Sequence, residues 1–128
     1  MVVVDTHVLI HDALEPQKLS RRARAALDGE HGAVTLSDIS LWEIAMLIAK
    51  GRIDPGMDAS QFLEDIIKVR GIRTLPITPQ IAVLSQSDDF PHRDPADRII
   101  AATAVAHRAR LVTSDAVLRR SRGLEVIW

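Results

Sequence analysis

Four acidic residues sit at points where short apolar or capping runs end. They are Asp5 after Val2-Val3-Val4, Glu43 in Ser40-Leu41-Trp42-Glu43, Asp97 in Asp94-Pro95-Ala96-Asp97, and Asp115 after Leu111-Val112-Thr113-Ser114. Carboxylates gathered within a few ångströms of one another in a partly desolvated cleft resist joint ionisation unless a cation sits among them. The chain has no cysteine, so the donors would be oxygens, which select a hard divalent ion, Mg²⁺ or Mn²⁺, over zinc. His7 and His11 stand at i, i+4, but the run His7-Val8-Leu9-Ile10-His11 lacks the glutamate that the zinc-protease helix requires. His31, His92 and His107 read as surface residues. No P-loop, dinucleotide-binding glycine fingerprint or nucleophile elbow is present. Asp5-Thr6-His7 also lacks the second aspartate of a haloacid-dehalogenase-like phosphatase.

The elements that must position these acids follow from periodicity. Val2 to Val4 reads as an apolar strand and Thr6 to about Leu14 as a helix, ended by Glu15-Pro16-Gln17. Ser20 caps a helix from Arg21 to Leu27, with Ala23 and Leu27 inward and Gly29 closing it. Residues 33–36 read as a second strand. A largely buried helix carrying Leu41, Trp42, Ala45, Met46, Ile48 and Ala49 starts at Ser37 or Ser40, runs to Lys50, and is stopped by Gly51. Asp58 or Ser60 opens a helix with Phe62, Leu63, Ile66, Ile67 and Val69, ended by Gly71, and residues 72–75 form a third strand. Thr78-Pro79 starts another helix, residues 85–93 a polar loop, and Asp94-Pro95 the helix through Ile99, Ile100, Ala104 and Ala106. Leu111-Val112 is a fourth strand, residues 116–120 a short helix, and residues 125–128 a last strand. Short apolar strands alternating with helices imply a three-layer α/β/α fold around a central, mostly parallel sheet. In such sheets ligands bind outside the carboxyl ends of the strands, where Asp5, Glu43 and Asp115 fall; Asp97 joins them if its helix starts on the same edge.

Each acid also has a purely local explanation. Asp94-Pro95-Ala96-Asp97 offers a cap, a proline at the first helical position and an acid at the third, and Ser40 with Glu43 matches a capping box. Asp5 and Asp115 could cap the helices that follow them, each contributing on the order of 1 kcal/mol. Capping needs no acid in particular, yet an acid recurs at every junction on that edge.

The 128 residues, 47% apolar and 26% charged with a net charge of −1, suit one folded domain over residues 1–128 and argue against disorder. Apolar runs stay far below the roughly 20 residues a membrane span needs, and nothing reads as an export signal, so a cytoplasmic protein is expected. The four aromatics, Trp42, Phe62, Phe90 and Trp128, are thin material for stacking bases. Thirteen of the 16 cations are arginine, whose fork suits phosphate, although a GC-rich genome yields the same bias.

The runs Val4-Asp5-Thr6-His7-Val8-Leu9, Ser40-Leu41-Trp42-Glu43-Ile44-Ala45, His92-Arg93-Asp94-Pro95-Ala96-Asp97-Arg98-Ile99-Ile100-Ala101 and Leu111-Val112-Thr113-Ser114-Asp115, in this order and spacing, resemble the PIN domain and, within it, the VapC-type toxins of toxin–antitoxin pairs. The resemblance spans nearly the whole chain. It implies a metal-dependent endoribonuclease whose catalytic and metal-holding acids are Asp5, Glu43, Asp97 and Asp115. Asp94 matches a further acid of this branch. Thr6 and Thr113 match hydroxyl positions that would orient a carboxylate or bind water at the metal. One or two Mg²⁺ or Mn²⁺ ions would polarise the scissile phosphate and activate water, leaving 5′-phosphate and 3′-hydroxyl ends. Arg98 and the groups Arg21-Arg22-Arg24 and Arg119-Arg120-Arg122 could bind flanking phosphates of the RNA. Ala96 departs from the pattern, standing where similar sequences often carry a bulky aromatic.

The resemblance further implies a toxin homodimer and a cognate VapB-like antitoxin laid over the site. Trp42, Met46, Phe62, Ile66 and Ile67 read first as core packing, although an antitoxin groove or dimer surface would use the same residues. Two other readings stand beside this one: a PIN nuclease of RNA processing without an antitoxin, and a non-catalytic PIN-like binding module, which would be expected to have lost one or more of the acids.

Overall fold

Val2, Val3 and Val4 offer no polar face, and a strand apolar on both sides must be covered on both. The computed structural model describes residues 1–128 and does this. Its strands are β1 (Val2–Val4), β2 (Val34–Ser37), β3 (Arg73–Leu75), β4 (Arg110–Val112) and β5 (Val126–Ile127). They form one sheet in the order β3-β2-β1-β4-β5, parallel throughout rather than mostly so. Alternate β1 residues enter different cores. Val2 and Val4 pack with helices α1 (Thr6–Leu14), α2 (Arg21–Leu27), α3 (Asp38–Ala49) and α4 (Ala59–Arg70). Val3 faces the second core, built on α5 (Pro79–Leu84) and α6 (Pro95–Ala106). The result is the expected three-layer α/β/α sandwich.

Local signals fix most boundaries. Ser20, Asp58 and Thr78 accept from the backbone N–H groups of Ala23, Gln61 and Ile81, and Gly71 ends α4 in the left-handed region at φ 60°. Arg70, in the last turn of α4, forks onto both Asp12 carboxylate oxygens at 2.9 and 2.7 Å and reaches Asp28 at 2.5 Å, tying α4 to α1 and to the end of α2. After Asp115 the expected helix shrinks to a single 3-10 turn, Leu118–Arg120. No helix is long and apolar enough to cross a membrane.

The chain leaves β1 to pair β2 on one side and later returns to add β4 on the other, so the order of connection reverses between β1 and β4. A crevice opens outside the carboxyl ends at such a point. Asp5 follows β1 and Asp115 lies shortly beyond β4.

Candidate active site

Pairing of Val4 with Val112 sets Asp5 beside Thr113. Thr113 Oγ1 donates to Asp5 Oδ2 at 2.7 Å and accepts from the Asp115 N–H at 3.0 Å, so one hydroxyl orients two of the acids. Asp5 precedes α1, yet its side chain makes no capping bond. It is only 3% exposed, and its Oδ1 is buried without a partner. The capping explanation therefore fails for Asp5. It holds in part for Asp115, whose Oδ1 accepts from the Val117 and Leu118 N–H groups at 2.7 and 3.0 Å.

Glu43 is not a cap either. Strand β2 runs on to Ser37, which caps α3 by accepting from the Ile39 N–H, and this places Ser40 inside the helix. Ser40 Oγ instead accepts from Thr6 Oγ1 at 2.8 Å, pinning the start of α1 to α3. Thr6, expected to orient a carboxylate or bind water, is spent on this tie. Glu43, one turn further along, is 4% exposed with Oε1 unpartnered. On α6 the cap is Asp94, whose Oδ1 accepts from the Ala96 N–H at 2.8 Å, while Asp97, 7% exposed, turns inward.

The acids sense one another. Burial is the largest cause pushing the Asp97 carboxyl up to about 7; Asp5, Asp94 and Glu43 add to it and His92 opposes. Burial likewise raises Asp5, with Glu43 and Asp115 adding while the Thr113 hydrogen bond and His7 oppose. For Asp115 burial acts upward too, but the Leu118 and Val117 N–H groups and His92 outweigh it and hold this carboxyl below its ordinary value. The site thus contains buried carboxylate oxygens without donors and one acid close to half-protonated at neutral pH. A divalent cation answers both conditions, because it supplies the charge and the coordination that protein groups do not.

His92 was expected on the surface and is found at this site. Its Nε2 lies 3.1 Å from Asp97 Oδ2 and 3.1 Å from Asp115 Oδ2, and these three side chains offer ligand atoms within 4.8 Å of one another. Its only trace in the sequence is its place five residues before Asp97. Arg98, expected to bind a phosphate, is committed elsewhere: its guanidinium donates to the carbonyls of Ser85, Ser87, Phe90 and His92. Of the two arginine groups, Arg22 and Arg119 meet around Val126 and Trp128. Trp42, expected in a buried helix, is 60% exposed. With Ile39, Met46, Pro95, Ala96 and Ile99 it lines a cavity of about 460 Å³ between α3 and α6, edged by Glu43 and Asp94. The small side chain of Ala96 contributes to that space.

Comparison with known proteins agrees with this architecture. The family model for the PIN domain matches residues 2–124. The chain is 38% identical over 124 residues to Ribonuclease VapC22 of Mycobacterium tuberculosis, covering 94% of this chain and 92% of that protein. The VapBC2 complex of Rickettsia felis, bound to a DNA fragment from its promoter, has a similar structure, with TM-score 0.73 and 17% identity over 98% of this chain and 97% of that one. A toxin–antitoxin complex from Klebsiella pneumoniae gives TM-score 0.64 and 24% identity over 97% and 95%.

Proposed function

The chain belongs to the PIN-domain family, and from that premise we propose that it is a VapC-type toxin, a metal-dependent endoribonuclease restrained by a VapB-like antitoxin. The observation that carries the reading is the pair of buried, unpartnered carboxylate oxygens, Asp5 Oδ1 and Glu43 Oε1, beside Asp97 and Asp115. Buried carboxylate oxygens without a donor are rare in folded domains, and an ion bound among several acids is one physical reason to keep them.

Asp5, Glu43, Asp97 and Asp115 are the residues that would hold Mg²⁺ or Mn²⁺. When bound, such an ion neutralises charge on a phosphate and makes a water molecule more acidic. The chain's own part is orientation: Thr113 fixes the Asp5 carboxylate, the Val117 and Leu118 N–H groups fix that of Asp115, and the Thr6–Ser40 tie sets the position of the helix bearing Glu43. Fixed ligands need not be ordered when an ion and RNA bind. The groove at Trp42 fits an antitoxin segment carrying apolar and basic side chains, which would cover the acids from the side of Glu43 and Asp94. A toxin homodimer acting in the cytoplasm completes the reading.

Cleavage of end-labelled RNA by metal-stripped protein tests it, with Mg²⁺ or Mn²⁺ restored beside EDTA, Asp5→Asn and Asp97→Asn controls. Metal-dependent cutting confined to the wild type, with 5′-phosphate products, is expected. A 2′,3′-cyclic phosphate end, or cutting by the variants, refutes it.

A further inference from the structure

Residues 85–94 join α5 to α6 without regular structure, yet the segment is tightly held. Phe90 within it is 2% exposed. Arg98 Nε donates to the Ser85 carbonyl at 2.7 Å, Nη2 to the Ser87 carbonyl at 2.7 Å, and Nη1 to the carbonyls of Phe90 and of His92, the last at 3.0 Å. Only a planar guanidinium presents so many donors in fixed directions; an ammonium does not.

The ring that this loop delivers is engaged at both nitrogens. The Asp94 N–H donates to His92 Nδ1 at 3.1 Å, so Nδ1 offers its lone pair and Nε2 is the nitrogen left to carry the ring proton. Nε2 then hydrogen-bonds Asp115 Oδ2 at 3.1 Å and lies 3.1 Å from Asp97 Oδ2. A neutral ring that ligated a metal through Nε2 would need its proton on Nδ1, and the Asp94 N–H already points there.

We propose that His92 is a positioning residue that sets the spacing of Asp97 and Asp115 through its Nε2–H without ligating the metal, and that Arg98 acts through it by holding the loop. This rests on the metal-nuclease reading above, but the ring tautomer can be observed without metal, so the two can fail separately.

The test uses the full chain, metal-stripped, as wild type, His92→Gln, His92→Ala, Arg98→Lys and the His92→Ala/Arg98→Lys double variant. Nitrogen NMR of the metal-free wild type should show the His92 proton on Nε2 and Nδ1 as the acceptor; a proton on Nδ1 overturns the proposal. Titration calorimetry with Mn²⁺ should show affinity falling about tenfold in His92→Ala, within the range typical for losing a partner of a metal ligand. His92→Gln, whose amide can still donate, should recover most of it. Arg98→Lys should weaken binding in the same sense, and the double variant should be no worse than His92→Ala alone, because residues acting in series are not additive. Additive losses, or unchanged affinity in His92→Ala, overturn the proposal. So does an imidazole nitrogen coupling in the spin-echo spectrum of bound Mn²⁺ that disappears in His92→Ala, since that ring would be a ligand. If the wild type binds no Mn²⁺ and cuts no RNA, the nuclease reading fails, and the NMR result still decides whether His92 bridges the two acids.

Discussion

Asp97→Asn should stabilise the metal-free chain at pH 8, by less at pH ~5, and leave it unchanged near pH ~3. Burial and the neighbouring carboxylates hold the Asp97 carboxyl up at about 7 in the folded chain, whereas in the unfolded chain it titrates near ~3.9. The folded state therefore binds this proton more tightly, and stability falls as pH rises through the window from ~4 to about 7. A displacement of about three on the pH scale corresponds to ~4 kcal/mol. Relaxation and water entry should remove about half of that, and the loss of an acid from the first turn of α6 costs a further ~0.5 kcal/mol. The net gain for asparagine, which keeps an acceptor for His92, is then about 1–2 kcal/mol at pH 8. For a chain of this size that raises the melting temperature by roughly 5 °C. At pH ~5 the unfolded carboxyl is already ionised and part of the gain remains; it disappears only below ~4, where folded and unfolded wild type are both protonated. Thermal melts in EDTA across this range, followed by circular dichroism, provide the assay. A variant that melts at or below the wild type at pH 8, or a gain independent of pH, refutes the reasoning. With Mg²⁺ added the order should reverse, since only the wild type retains the full set of acids.

Mg²⁺ or Mn²⁺ at a hundred times its dissociation constant should stabilise the wild type by ~2.7 kcal/mol, and Asp5→Asn should lose most of that gain, as differential scanning calorimetry will show. Arg70→Ala removes the fork on Asp12 and the contact to Asp28 and should cost ~1–2 kcal/mol in urea unfolding, the Asp28 share declining with salt because that carboxylate is half exposed. Trp42→Ala should change the stability of the isolated chain by less than ~0.5 kcal/mol, and Trp42 fluorescence should be readily quenched by acrylamide; strong protection would contradict the exposed indole. Ala96→Phe should fill part of the cavity beside Trp42 and add ~1 kcal/mol of stability while weakening capture of an antitoxin segment, measurable by melting and by pull-down with the partner.

The parallel sheet and its acidic edge were legible because short apolar runs followed by a single acid leave little freedom: a strand buried on both faces must end before the first charge. Asp5 and Asp115 follow directly from that rule. Glu43 was harder to read, since Ser37 and Ser40 are both chemically fit to cap the helix. The choice depended on β2 continuing to Ser37, where it pairs with Leu75, a long-range contact that no local pattern encodes. The exposure of Trp42 has no local signal for a related reason: α3 is apolar almost all round, so its sequence contains no polar stripe to show which side faces water. His92 and the true role of Arg98 were hidden because loop conformation is set by long-range hydrogen bonds, here four carbonyls converging on one guanidinium.

Because β1 lies between β2 and β4, the order of synthesis bears on when the acidic cluster is complete. The first strand to emerge has a neighbour on one side as soon as β2 follows, but its other edge stays open until Arg110–Val112 arrives. Until then Asp5 has neither the Thr113 hydroxyl nor Asp115 beside it. A nascent chain, even with three of its four acids already made, has no finished acidic cluster. The acidic cluster is thus withheld until nearly all of the fold is in place, and any chemistry that depends on it is withheld with it.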